Sequence, residues 1–575
     1  MKGFDINHLK CKITSQGFKG ELKANHSSSI ATLKAEIMSH PFGERLRVIL
    51  IAHQDVTIQE VSYRFRHRVS DDAFMTFNGY QSWTDTQPLQ VNDKMPYLRS
   101  WVKPLVSKYQ FDKYGDTLIH PFKHGKGRFH GFTYVTLCEQ ETTLLASVHE
   151  QSGYTMFEYH HAQSLWTITK DNQHIEVSDE CVLLDIICLK GTQDEVFDAY
   201  ASILNIKLKT TSTYKGWTSW YYHYQNISES IILNNLKALK ASQADLDVIQ
   251  IDDGYQTKIG DWLSMDKQKF PHGLTMIVNH IHHEGFKAGC WLAPCVCQID
   301  SDIALHHPHW LIQDDHQQPL LGGSNWGGFY ILDMQNEQVK AYLRQVFNVV
   351  LNEWGFDLVK LDFLYAAALK PTATKTRGQL MHETMVFLRE CVGDKLILGC
   401  GVPLGSAFGL VDFCRIGCDV GLDYDGEWYM KYMHRERIST YHSINNAIGR
   451  YPLNQRFFLN DPDVFILRDE ANQLTHDQKD TLALVNRLMH GLLFTSDDVR
   501  TYNATQMKCF KTLMNHKSIQ IINIQVLQKG VYHIEWWSHH QKYSATINTE
   551  PHPYITQDIR LSAFQSRSQT VEVKS

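Results

Sequence analysis

The stretch LVKLDFLYAA, residues 358–367, reads as a buried strand, because Leu358, Val359, Leu361, Phe363 and Leu364 are apolar. Lys360 and Asp362 interrupt it. Alternate residues of a strand share a face, so the two charges point the same way. A charge carried into an apolar setting is costly unless it is paired or put to use. Lys360 and Asp362 therefore read either as a structural ion pair in a protein core or as part of a functional site.

Outward from this stretch, residues 206–500 alternate strand and helix. The strand candidates are YKGWTSWY (214–221), DVIQIDDG (247–254), KAGCWLAP (287–294), DLVKLDFL (357–364), KLILGCG (395–401), FCRIGCD (413–419), RFFLNDPD (456–463) and GLLFTSDD (491–498). Between them lie helical stripes. Ile232, Leu236 and Leu239 follow Ser228, a residue suited to an N-cap. Val339, Leu343, Val346 and Val350 precede Gly355, a natural helix stop. Eight strands alternating with helices predict a (β/α)8 barrel. An open doubly wound sheet is the alternative, but no GxGxxG follows the first strand.

Residues 1–205 read as β. In VSYRFRHRV (61–69), Val61, Tyr63 and Phe65 alternate with arginines, and RLRVILIAH (45–53) and ECVLLDIICLKG (180–191) add further strands. A large antiparallel sandwich fits this region. Residues 501–575 return to β and predict a small C-terminal sheet domain. The expected fold class is thus α/β with all-β flanking domains.

The chain has 575 residues, too many for one typical core, and two or three domains are expected. Hydrophobic residues make up 43% and charged residues 21%, the profile of an ordinary globular protein. A net charge of −6 without a basic run argues against nucleic acid or an anionic membrane as partner. No apolar run reaches the ~18 residues of a membrane span. The opening MKGFDINHLKCKITSQ lacks the apolar core of a signal peptide, so a cytoplasmic location is expected. The 12 cysteines then read as buried thiols. Cys295 and Cys297 form a CVC without a second ligand pair, and HIHH (280–283) and HHPH (306–309) come without an HExxH. No metal or other cofactor is expected.

Unusual residues recur at the C-terminal ends of the strands, where a barrel enzyme carries its chemistry. They are Asp252 and Asp253, Trp291, Lys360 and Asp362, Cys400, Arg415 and Asp419, Asp461 and Asp463, and Asp497 and Asp498. A single such aspartate reads as a cap for the next helix. Five of eight strands carrying them predict a converging acidic mouth. Carboxylates suit divalent metals, and DPD (461–463) resembles the DxD of metal-using glycosyltransferases. They also suit sugar hydroxyls, with Trp217, Trp220 and Trp291 as apolar platforms. Interleaved Lys and Arg favour sugar, since a cation in the pocket repels a metal. Glycoside hydrolysis needs one ionised and one protonated carboxyl group. Asp362 suits the first role because Lys360 favours its carboxylate. Asp419 suits the second if Arg415, four residues earlier, points at substrate hydroxyls.

GWTSWYYHY, IDDGYQ, GCWLAP, LVKLDFLYAA, LGCG and RIGCDVG stand in the order and at the spacing of the bacterial α-galactosidases of glycoside hydrolase family 36, and NGYQSW (78–83) resembles that family as well. The resemblance implies an N-terminal β-supersandwich (1–205), a catalytic (β/α)8 barrel (206–500) and a C-terminal antiparallel β domain (501–575). It implies metal-free hydrolysis of terminal α-linked galactose with retention, Asp362 as nucleophile and Asp419 as general acid/base. Asp252 and Asp253 would hold the 4- and 6-hydroxyls. Lys360 and Arg415 would reach the 2- to 4-hydroxyls, with Cys400 near the 2-position. Trp291 and Trp220, or Trp217 in place of Trp220, would line the pocket, and Trp83 would help cover the aglycone side. The implied partner is a small α-galactoside or oligosaccharide; a homo-oligomer is open. Three alternatives stay open on the same residues: α-N-acetylgalactosaminidase, transglycosylase and non-catalytic sugar binder. A metal-dependent glycosyltransferase built on Asp461 and Asp463 is a more distant one.

Overall fold

Each apolar run between residues 214 and 495 forms a short strand, and the strands close into a ring in a computed structural model that describes residues 3–15, 18–426, 430, 435–515, 519–556 and 559–571. The strands are β1 (Tyr214–Thr218), β2 (Val248–Ile251), β3 (Lys287–Leu292), β4 (Leu358–Leu361), β5 (Leu396–Gly399), β6 (Phe413–Arg415), β7 (Leu459–Asp461 continued by Val464–Phe465) and β8 (Leu492–Thr495). Neighbours pair in parallel and in order, and β8 pairs with β1. The open doubly wound alternative is therefore excluded.

The ring closes through β7, which is not the single strand its sequence suggests. Leu459–Asp461 pairs with β6, whereas Val464–Phe465 pairs with β8. Pro462 stands in the gap and has no N–H for a ladder. Asp463 follows it with φ +74°, a left-handed conformation rare outside glycine. The two pieces thus face different neighbours, and the break aims Asp461 and Asp463 inward.

Helices cover the ring as their periodicity predicts. In α1 (Glu229–Ser242) the Ser228 hydroxyl accepts from the Ile231 N–H, and Ile232, Leu236 and Leu239 are buried. In α2 (Glu337–Asn348) Asn336 is the N-cap, and Val339, Leu343 and Val346 are buried. Each such fully buried aliphatic side chain contributes about 1.5–3 kcal/mol. Gly355, at φ +88°, turns the chain into β4. No helix among the described residues is long and apolar enough to cross a membrane.

The N-terminal residues form two antiparallel sheets of seven and eight strands. Val61, Tyr63, Trp166 and Ile168 of one pack with Val48, Leu50, Leu145 and Ile186 of the other in a shared core. After the barrel, Ile519–Gln528, Val531–Ser538, Gln541–Asn548 and Ser566–Val571 form a four-stranded antiparallel sheet.

The N-terminal region is tied to the barrel through a buried arginine. Arg450 is fully buried and ends the helix Thr440–Gly449. Its guanidinium donates to Asn78 Oδ1 (3.0 Å) and to the carbonyls of Ser82 (2.6 Å), Gln81 (3.1 Å) and Ile416 (3.0 Å). The NGYQSW segment is thereby clamped against the chain that leads to Asp419. Arg450→Met removes the donors and leaves buried carbonyls without partners. It is expected to cost about 3 kcal/mol, read as a lower urea midpoint, with no such drop for the exposed Arg64→Met.

Candidate active site

At the C-terminal mouth of the ring lies a cavity of about 440 Å³, within the range of small-ligand pockets. Of the residues singled out in the sequence, Asp252, Asp253, Trp291, Lys360, Asp362, Asp419, Trp220 and Trp83 line it. They come from strands β2, β3, β4 and β6, the turn after β1 and the N-terminal region.

The lysine of the opening stretch finds its partner on another strand. Lys360 Nζ donates to Asp252 Oδ2 at 2.9 Å, and both side chains are buried. Burial would lower the Lys360 ammonium, but the charges of Asp252 and Asp362 outweigh it and hold it above its ordinary value. Asp252 Oδ2 also accepts from Gln250 Nε2 (2.8 Å). Asp253 accepts from Gln256 Nε2 (2.5 Å), Gln225 Nε2 (2.8 Å) and Trp326 Nε1 (2.9 Å). Burial still raises its carboxyl above the usual range, against those donors.

Asp362 leaves β4 at its end. Its Oδ2 accepts from Trp291 Nε1 at 3.0 Å, and its Oδ1 accepts from the Phe363 N–H at 2.8 Å. Burial raises this carboxyl, the Lys360 charge lowers it, and Asp419 raises it again. The net shift is upward, so Lys360 moderates the burial penalty on Asp362 without abolishing it. The charge of Asp419 thus acts on Asp362, and both carboxyls line one cavity.

The expectation that Arg415 points at substrate hydroxyls is corrected, because its guanidinium is taken up by three aspartates. Its Nη1 donates to Asp419 Oδ1 (2.8 Å) and its Nε to Asp461 Oδ2 (2.9 Å), while Nη2 lies 2.9 Å from Asp463 Oδ1. The two aspartates of broken β7 reach the guanidinium first, because the break at Pro462 turns them inward. Asp463 also accepts from the Tyr221 hydroxyl and from the Val420 N–H (2.9 Å), and so holds the chain beside Asp419. The DPD motif thus forms the socket of an arginine. Among the described residues there is no group of three or more His, Cys, Asp or Glu placed to hold a metal ion.

Trp217 and Cys400 are further corrections, since neither lines the cavity. Trp217 is fully buried and donates through Nε1 to the Asp497 carbonyl at 3.0 Å. β1 ends at Thr218, so Trp217 stays inside the strand layer, while Trp220 begins the following helical turn at the rim. Cys400 stands behind the wall: Trp83 Nε1 donates to its Sγ at 3.3 Å, and its thiol acts on Asp362. Asp497 and Asp498 also leave the acidic mouth. Asp497 is ion-paired with Arg468, and Asp498 caps the turn Val499–Thr501.

Sequence reading missed Trp326, Tyr221, Tyr114, Phe363 and Glu436, all of which line the cavity. Trp326 has a usable signal: it is a lone aromatic in the glycine-rich GGSNWGG (322–328), inside a small three-stranded insertion after β3. Tyr114 and Glu436 have none, because they reach the mouth from outside the strand–helix alternation.

With this geometry in view, residues 213–390 match the family model described as Melibiase. Alpha-galactosidase 1 of Pediococcus pentosaceus is 26% identical over 194 residues, 29% of this chain and 25% of that protein. The A type blood alpha-D-galactosamine galactosaminidase of Flavonifractor plautii is 31% identical over 159 residues, 26% of this chain and 14% of that protein. The chain thus spans a quarter or less of the length of these two relatives. Among solved structures, the alpha-galactosidase TtGalA of Thermus thermophilus, in complex with stachyose, superposes with a TM-score of 0.68 at 24% identity over 85% of this chain and 99% of that one. The GH36 alpha-galactosidase AgaA of Geobacillus stearothermophilus does so with a TM-score of 0.63 at 10% identity over 96% and 82%. The segment 213–390 is thus similar to the melibiase model, and the chain shares its fold with these solved α-galactosidases.

Removing the cation between Asp252 and Asp362 leaves two buried carboxyls uncompensated. Lys360→Met is expected to lower stability by about 3–5 kcal/mol. Adding Asp252→Leu should recover part of that loss, since removing a buried pair costs less than breaking it. Urea midpoints for the two single variants and the double variant measure the coupling. A Lys360→Met loss no larger than that of an exposed lysine contradicts this account.

Proposed function

We propose that the protein is a retaining α-galactosidase acting on terminal non-reducing α-galactosyl residues of the melibiose and raffinose type. The observation that carries this reading is the placement of Asp362 and Asp419, from strands two apart in the ring, in one cavity with Asp252, Asp253 and Lys360. The carboxylates and ammonium suit the hydroxyls of a hexose, and Trp291, Trp326 and Trp220 suit its apolar faces.

In this proposal Asp252, Asp253 and Lys360 grip the galactose hydroxyls. Asp362, held by Trp291 and the Phe363 N–H, attacks the anomeric carbon. Asp419 protonates the departing oxygen, and a covalent β-galactosyl-enzyme forms. The ionised Asp419 then draws a proton from water, and α-galactose leaves. Arg415 takes a positioning part: it holds Asp419 against Asp461 and Asp463. The flanking β regions fit the β-supersandwich and C-terminal β domain of the family, with the first boundary near 205; the second is corrected from 500 to after the helix Ala504–Met514, which is hydrogen-bonded to the barrel.

N-Acetylgalactosamine is the competing sugar, given the printed name of the Flavonifractor relative. Trp83 favours galactose. Its ring covers Cys400 and presses on Gly401, where an added Cβ would lie 2.9 Å from the indole. If the 2-position faces Cys400, as the family resemblance implies, an acetamido group there would meet the Trp83 indole.

Turnover of p-nitrophenyl α-galactoside and raffinose, little turnover of the α-N-acetylgalactosaminide and indifference to EDTA are expected in one assay. NMR of the first-formed sugar should show the α-anomer; the β-anomer overturns retention. Asp362→Asn should leave the fold intact and lower kcat by several decades, on the order of 10⁴-fold. Attack requires the Asp362 carboxylate, and its pKa in the free protein is raised. Activity is therefore present above that pKa and lost as pH falls through it. The acid limb of kcat/KM should lie above the ordinary aspartate value of about 3.9.

A further inference from the structure

We propose that Glu436 reads the leaving group: its carboxyl hydrogen-bonds a hydroxyl of the sugar to which galactose is joined. The proposal deepens the α-galactosidase reading and rests on it. Glu436 is only 7% exposed, yet it lines the same cavity as Asp362 and Asp419. The two-carboxyl reaction has no use for a third. A carboxyl group kept out of water without a use is a cost.

Its place in the fold puts it on the leaving-group side. The Ser439 N–H donates to the Asp419 carbonyl at 3.0 Å. Glu436 lies three residues before that tie and, like Asp419, lines the cavity. The hydroxyl-gripping Asp252 and Asp253 follow β2, which stands across the eight-membered ring from β6. A sugar ring gripped there and cleaved beside Asp419 sends its leaving group toward the Glu436 wall.

The carboxyl is also built in. Thr84 Oγ1 donates to Glu436 Oε1 at 2.7 Å, and that hydroxyl accepts from the Gln81 N–H at 3.2 Å. Gly115 leaves the space: a Cβ there would lie 2.8 Å from Glu436 Oε2. Burial, reinforced by the charge of Asp116 and opposed by Arg435, pushes the carboxyl up to about 8. In its protonated form, which burial favours, it both donates and accepts, as a sugar hydroxyl does. It also adds no third negative charge to the mouth.

Melibiose offers hydroxyls on its leaving group where p-nitrophenyl α-galactoside offers a flat aryl ring. The readout is the ratio of kcat/KM for melibiose to that for p-nitrophenyl α-galactoside. In Glu436→Ala the ratio should fall about ten-fold, mostly through KM for melibiose, the scale of one lost hydrogen bond in a site. Glu436→Gln keeps a donor and an acceptor and should restore the ratio to within about three-fold of the parent. Glu436→Asp, which withdraws the carboxyl by one methylene, carries the same test should the alanine variant not fold. An unchanged ratio in the alanine or aspartate variant, including an equal loss on both substrates, overturns the role of Glu436. Failure of the unaltered protein to cleave either substrate overturns the α-galactosidase reading itself, and this proposal with it.

Discussion

Three carboxylates share one guanidinium at the floor of the mouth. Arg415 holds Asp419, Asp461 and Asp463, and the rest of the site depends on that arrangement. One guanidinium meets three carboxyl groups, so two of them are held by further hydrogen bonds. Asp463 takes the Tyr221 hydroxyl and the Val420 N–H, and Asp461 Oδ1 takes the Asp463 N–H at 2.9 Å. Burial and the neighbouring carboxylates raise Asp463, while Arg415 opposes them. Lys360 plays the corresponding part on the other side, joined to Asp252 and acting on Asp362 through its field. Two buried cations therefore set the position of five aspartates. Replacing either would disturb carboxylates of which all but Asp419 are buried away from solvent.

The N-terminal region is part of the site and not an appendage to it. The segment from Asn78 to Thr86 brings Trp83 over Cys400, and Arg450 and Arg435 fasten it from the barrel side. Arg435 reaches the Asp85 carbonyl and Asp116, and Asp116 in turn bonds His130 at 2.6 Å. Such a buried polar network is stable only when its members are satisfied together. The barrel mouth and the sandwich loop thus form as one unit, which explains why a cavity wall is built from residues more than 300 positions apart in the chain.

What could be read from sequence follows from periodicity. Apolar stretches alternating with helical stripes mark all eight strand positions of the ring, and period-3.6 stripes mark α1 with its Ser228 cap and α2 without its Asn336 cap. Alternation alone put Lys360 and Asp362 on one face. Partners across strands were out of reach, because no local pattern says which strands meet. Lys360 was therefore read toward Asp362, although Asp252, more than a hundred residues away, accepts its hydrogen bond. Arg415 was read as open to substrate for the same reason: its two further partners lie on β7, behind a proline whose effect on pairing is not a periodic signal. Trp217 and Trp220 could not be separated because the end of a strand is the least legible part of it, and two residues decide which indole reaches the cavity. Trp83 was legible only through a motif shared with a family, since nothing in its own segment points at the barrel.

The backbone around the cavity carries strain that these side-chain contacts must support. Tyr224, Trp326, Phe363 and Asp463 all have positive φ, at +47°, +56°, +53° and +74°. None is a glycine, and each such conformation costs about 1–3 kcal/mol. In return it turns a side chain inward where the chain leaves a strand or loop. Phe363 packs against Trp326 with ring centroids 4.8 Å apart and against Trp83 at 5.2 Å. The Trp326 indole ends on Asp253, and the Asp463 carboxylate on Tyr221 and Val420. Each strained residue is thus held by a neighbour that itself lines or braces the cavity. The strain is therefore supported by the contacts that shape the site, and a change that relaxes one of these residues would be felt first as a shift in the walls around Asp362 and Asp419.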